Sequence, residues 1–88
     1  MPAFAHQVVV YGERKGESGW IIAGKENFEP YAEAHANSNY ETWLNLARWN
    51  RMFRQEGSYQ RFFVILYVWS PGEPGWSVAR SDYVPNPA

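Results

Sequence analysis

The chain has no cysteine, which rules out a disulfide framework, a thiolate metal site and a cysteine nucleophile. It has one aspartate, Asp82, and two histidines, His6 and His35. Nucleophilic catalysis needs a nucleophile, a base and an orienting group within reach of one another. A Ser–His–Asp set would have to draw on Asp82 near the C-terminus, and no serine sits in a G-x-S-x-G elbow. Charge of either sign is also scarce in surplus: eight basic and nine acidic residues give a net charge of −1, with a pI near 6.1. That balance exerts no overall pull toward nucleic acid or an anionic membrane. No apolar run approaches the ~18 to 20 residues that span a bilayer. The opening "MPAFAHQVVVYG" lacks the basic region and long apolar stretch of a secretory signal. The expectation is a cytoplasmic protein without a membrane partner.

Other chemistry is thinly provided for. Glu33 and His35 stand at i, i+2 and, with His6, are the best candidates for a metal site, but structural zinc sites use Cys or denser His, so no metal and no cofactor is expected. The glycine-bearing stretch 12–19, "GERKGESG", lacks the G-x-x-x-x-G-K-[ST] spacing of a phosphate loop, and Glu13 and Glu17 would repel phosphate. It reads as a solvated hairpin tip. His6 reads as a surface residue at a strand start. No stretch carries a catalytic motif, and the chain is read as a non-enzyme.

What the chain has in abundance is aromatics: five Trp, six Tyr and five Phe, 18% of its 88 residues. That argues against disorder, because disordered segments are poor in these residues. A chain of this size makes one domain with one core of two layers. "HQVVVY" (6–11) reads as a strand and "WIIAG" (20–24) as its hairpin return. "FEPYAEAHA" (28–36) alternates Tyr31, Glu33 and His35 with alanines and reads as a strand, with a short helix begun by Pro30 as the alternative. "SNYE" (38–41) has the form of a capping box, Ser38 as N-cap and Glu41 reaching back. The helix it opens runs to about Glu56, where Gly57 supplies the stop. "YQRFFVILYVWS" (59–70) is a long strand, "PGEPG" (71–75) a turn, and "WSVAR" (76–80) a short returning strand. The predicted fold is α+β, a single two-layer domain over 1–81. It has a mostly antiparallel sheet of about five strands in the order β-β-β-α-β-β, with one long helix packed on one face. Residues 82–88 form an extended or frayed tail.

The stretch 62–69, "FFVILYVW", is apolar on both faces, with Phe62, Val64, Leu66 and Val68 on one side and Phe63, Ile65, Tyr67 and Trp69 on the other. One helix covers one face of a sheet. The other face is then open, and a large open apolar face marks a binding site. The helix poses the same question: Tyr40, Trp43, Leu44 and Ala47 share one side, while Leu46, Trp49 and Phe53 form a second. The functional expectation is a protein-interaction module. It acts as a homodimer or as a small inhibitor or accessory protein, a kind often associated with phages and mobile elements. Trp49, Phe53, Phe63, Tyr67 and Trp69 are its contacts, with Arg48 and Arg51 at the rim. One alternative is single-stranded nucleic-acid binding through Arg48, Arg51, Arg54 and Arg61 with their aromatic neighbours, against which stands a pI far below the basic footprint of such proteins. Another is a small-ligand pocket between helix and sheet lined by Trp43 or Trp20.

Overall fold

The computed structural model of the chain describes residues 5–28, 33–70 and 72–87, apart from the side chains of Phe28 and Glu33. Four strands, β1 (Ala5–Arg14), β2 (Ile21–Phe28), β3 (Tyr59–Trp69) and β4 (Ser77–Val84), form one antiparallel sheet in the order β2-β1-β3-β4. Between β2 and β3 run two helices, α1 (Glu33–Trp49) and α2 (Arg51–Glu56). The Cα atoms span 43 × 23 × 16 Å, and the shortest extent holds a sheet and one helical layer but not a third. No helix among the described residues is long and apolar enough to cross a membrane.

The central strands are the β-branched and aromatic runs, β1 and β3, paired in register from Ala5↔Trp69 to Arg14↔Tyr59 with one shift beside Glu13. Alternation sends Val8 and Val10 of β1, and Phe62, Val64 and Leu66 of β3, to the same side, where α1 covers them. Ala36, Tyr40, Leu44 and Ala47 answer from the helix at spacings of four, four and three, a single stripe on a 3.6-residue period. Where α1 passes β2 the sheet has Gly24: a Cβ there would lie 2.5 Å from Cζ3 of Trp43, so only glycine lets the indole lie flat on the strand. The hairpin tip turns on Gly16 and Gly19, at φ of 79° and 100°, in the left-handed region that favours glycine.

The structure corrects several sequence expectations. The sheet has four strands, because 28–36 does not supply a fifth: Glu33–Ala36 opens α1, and 29–32 lie outside the described residues. Alanine is the strongest helix former, and Ala36 belongs to the buried stripe, so packing and propensity agree against the strand. Ser38 is therefore no N-cap. It lies inside α1, and its carbonyl accepts from Thr42 Oγ1 at 3.2 Å. The helix also does not run unbroken to Glu56. Asn50 leaves the helical region (φ −88°, ψ 105°) and caps α2, its Oδ1 accepting from Phe53 N at 2.9 Å. Gly57 ends α2 as expected. At the C-terminus the last strand continues past residue 81 to Val84, which is buried in the core, and Arg54 donates to the Pro87 carbonyl. Residues 82–84, read as tail, are therefore part of the sheet. His6 is not a surface residue: it is 4% exposed, two positions before Val8 on the helix-facing side of β1.

Candidate functional site

The helices lie on the side of Phe62, Val64 and Leu66, so among the described residues no layer lies over the opposite side of the sheet. β3 presents Arg61, Phe63, Ile65, Tyr67 and Trp69 there. β1 adds Gln7, Val9, Tyr11 and Glu13, opposite Tyr67, Ile65, Phe63 and Arg61 in the ladder. From the edge strands come Ile22 beside Tyr11, and Val78 and Tyr83 beside Tyr67 and Phe63. Trp20 folds from the hairpin onto Phe63 and Tyr83, ring centroids 6.2 and 6.4 Å apart and edge to face. At the far end Trp76 meets Trp69 at 5.4 Å. Ile22 is 56% exposed, Val78 58% and Tyr83 45%. A shallow hollow of about 230 Å³, lined by Tyr11, Trp20, Phe63, Ile65 and Tyr67, lies between the two exposed ends.

Polar groups ring this face. Glu13 accepts from Arg61 Nε and Nη2, each at 2.8 Å, and from Gln60 Nε2 at 2.5 Å. Arg61 also donates to the Tyr83 hydroxyl at 2.9 Å and lies 4.9 Å over the Trp20 ring. The Arg61 hydrogen bonds hold the Glu13 carboxyl below its ordinary range, against the opposite pull of burial. At another corner Gln7 bonds Asn27 at 2.8 Å. Toward the centre the Tyr11 and Tyr67 hydroxyls meet at 3.0 Å, and Tyr67 is pushed up to about 12, first by burial and then by that bond.

These shifts set a pH window for stability. A carboxyl lowered on folding stabilises above its unfolded value near 4.3, and that contribution disappears as pH falls through the folded value. A tyrosine raised on folding stabilises below its unfolded value near 10, and the contribution is lost as pH climbs toward 12. Urea midpoints measured across pH should fall at both ends. Glu13→Gln should flatten the acid limb and Tyr67→Phe the alkaline one.

The predicted contacts do not share one surface. Phe63, Tyr67 and Trp69 are on the open face. Trp49 is 68% exposed on the outer side of α1, next to Met52 at 79%, across the molecule from that face. Phe53 is on neither surface: the break at Asn50 redirects α2, and Phe53 stacks on Phe62 at 5.4 Å and packs against Tyr59 and Trp43. Arg48 lies 3.9 Å from Asp82, and Arg51 is exposed on α2. The four arginines of the nucleic-acid alternative do not share a surface. Arg48 faces β4, Arg54 is bonded to the C-terminal segment, and Arg61 lies on the open sheet face. Trp20 lines the hollow on the side of the sheet away from the helices and not a helix–sheet pocket, while Trp43 lies on the helix side and donates to Glu26 at 2.9 Å. A cleft of about 370 Å³ between α2 and the first hairpin is lined instead by Arg14, Phe53, Glu56 and Tyr59, among others. His35 is exposed on α1 while His6 is buried, so the two are not neighbours in one open site.

Sequence reasoning missed Trp20, Ile22, Trp76, Val78 and Tyr83 as members of the open face. Two β-bulges explain much of this. The register shifts between Val10 and Tyr11 against β2, and between Leu66 and Tyr67 against β4, so Ile22 and Val78 lie out of phase with the rest of their strands. No family model, no curated protein and no solved structure matches the chain.

Proposed function

We propose that this chain is a non-enzymatic cytoplasmic protein-interaction module, working as a homodimer or as a small inhibitor or accessory protein, and that the open sheet face is its contact surface. The observation that carries the reading is the uncovered side of β3 and its neighbours, where Trp69, Val78 and Tyr83 stand exposed around a shallow aromatic hollow. Apolar centre and polar rim is the anatomy of an interface. Trp and Tyr concentrate binding energy because each buries a large rigid surface. The helix side offers less: Trp49 stands there beside Leu46 with Thr42, Asn45 and Asn50 around it, and Met52 is exposed on α2.

The test is differential capture. The wild-type chain, Trp49→Ala, and a double variant Trp69→Glu with Val78→Arg are immobilised and exposed to a lysate of the source cells. A protein, a further copy of the chain or a different one, should be retained by the first two and lost from the double variant. Retention by the double variant with loss from Trp49→Ala would move the contact surface to the helices and end this reading.

A further inference from the structure

The occupant of the open face is, we infer, a second copy of this chain, packed sheet to sheet about a twofold axis. This rests on the reading of that face as a contact surface and names what fills it. The first support is the placing of the apolar side chains. Exposed apolar side chains stand at both ends of the face, Trp20, Ile22 and Tyr83 at one and Trp69, Trp76 and Val78 at the other. Between them the surface sinks: Val9 is 2% exposed, and the 230 Å³ hollow opens over Tyr11 and Ile65. A twofold axis lying between two such sheets, across the middle of β3, reverses the strand. It sets the Trp69–Trp76 end of one copy over the Trp20–Tyr83 end of its partner, and reciprocally, so that exposed apolar side chains meet at both ends as an isologous interface requires.

The second support is charge. The pair at the centre of any self-contact must not be like with like. Glu13 and Arg61 neutralise each other on the same chain. Lys25 is the one unpaired charge on this face among the described residues, and it sits on the edge strand β2, where its stem can reach solvent. The third is area. Four strands ~4.8 Å apart and about eight residues long at ~3.3 Å per residue make a plane of roughly 500 Å². Side chains standing from that plane bring its accessible area toward the ~800 Å² that each partner gives to a standard interface. Packed sheets lie ~10 Å apart, a gap that large apolar side chains from both faces fill. The result is a four-layer dimer with helices outside.

The experiment is absolute mass by light scattering over a dilution series. Wild type should show twice the chain mass of 10.2 kDa when concentrated and approach 10.2 kDa on dilution. Val78→Arg, at an exposed position, should keep the far-ultraviolet circular dichroism spectrum and weaken self-association by roughly 30-fold or more. Ser81→Arg, on the same face, is the second variant should the first fail to fold. Trp49→Ala should leave the dimer unchanged. A mass of 10.2 kDa at every concentration overturns the inference, as does a dimer that both arginine variants retain. A monomer that still captures another protein through the sheet face would remove the second copy while leaving the contact surface standing.

Discussion

Phe62→Ala should cost about 3–5 kcal/mol of folding stability, while Phe63→Ala, the next residue, should cost about 1–2 kcal/mol. Phe62 is fully buried, stacked on Phe53 at 5.4 Å and against Tyr59 at 5.1 Å, beneath the helical layer. Its truncation leaves a cavity that the packed ring cluster cannot close. Phe63 points the other way. Its truncation loses an edge contact with Trp20 and a tilted one with Tyr83, both of which already meet water. A chain of this length has roughly 4–13 kcal/mol of total stability at 0.05–0.15 kcal/mol per residue. The first substitution therefore consumes a large share of it, and the second does not. Urea unfolding of the two variants at low concentration measures the difference. Equal losses would mean that both faces of β3 are covered within one chain.

Tyr40→Ala should be as damaging as Phe62→Ala, about 3–5 kcal/mol, and Tyr40→Phe should cost about 1–2 kcal/mol. Tyr40 is fully buried at the centre of the helical stripe and ties three elements together. Its hydroxyl stands 2.9 Å from the Val64 carbonyl on β3 and 2.7 Å from Asp82 Oδ2 on β4, and its single proton is shared between these two acceptors. Arg80 lies 4.5 Å over its ring and pairs with Glu41 of α1. The phenylalanine variant keeps the ring and leaves the two acceptors without that donor. The alanine variant also opens a void between α1 and the sheet. Burial, with Asp82 next, raises the Tyr40 hydroxyl above its ordinary range, so Tyr40→Phe should also flatten the alkaline limb of the stability curve. Urea midpoints at neutral and alkaline pH check both points. A phenylalanine variant as costly as the alanine one would place the energy in the hydroxyl bonds rather than in packing.

The sequence made one side of this architecture legible and half of the other. Period-two alternation in 62–69 placed Phe62, Val64 and Leu66 together and helical spacing placed Tyr40, Leu44 and Ala47 together, but that these two rows meet is visible only in the structure. Both are dense, regular signals that burial enforces. The row Phe63, Ile65, Tyr67 and Trp69 follows from the same alternation, but which of the two rows the helix leaves open does not, because both are apolar. Capping chemistry misled twice. Ser38 and Glu41 have the right types and spacing, but an N-cap has effect only where the helix starts, and Ala34 and Ala36 carry the helix past it. Asn50 breaks the helix through its own backbone angles and side-chain bond. Helical periodicity extrapolated across that break misplaced Phe53. His6 is buried because the strand phase of Val8 and Val10 governs it, and polarity does not. The fold-back of Trp20 depends on tertiary contacts with Arg61, Phe63 and Tyr83, which local sequence does not encode.

Hydroxyl-radical footprinting of the intact chain, at a dilute and at a concentrated condition, tests the central claim residue by residue. The account predicts that Trp69, Trp76 and Tyr83 are oxidised when dilute and protected when concentrated, while Trp49 and Met52 react equally in both. Protection of Trp49 and Met52, with the sheet-face aromatics unchanged, would contradict it.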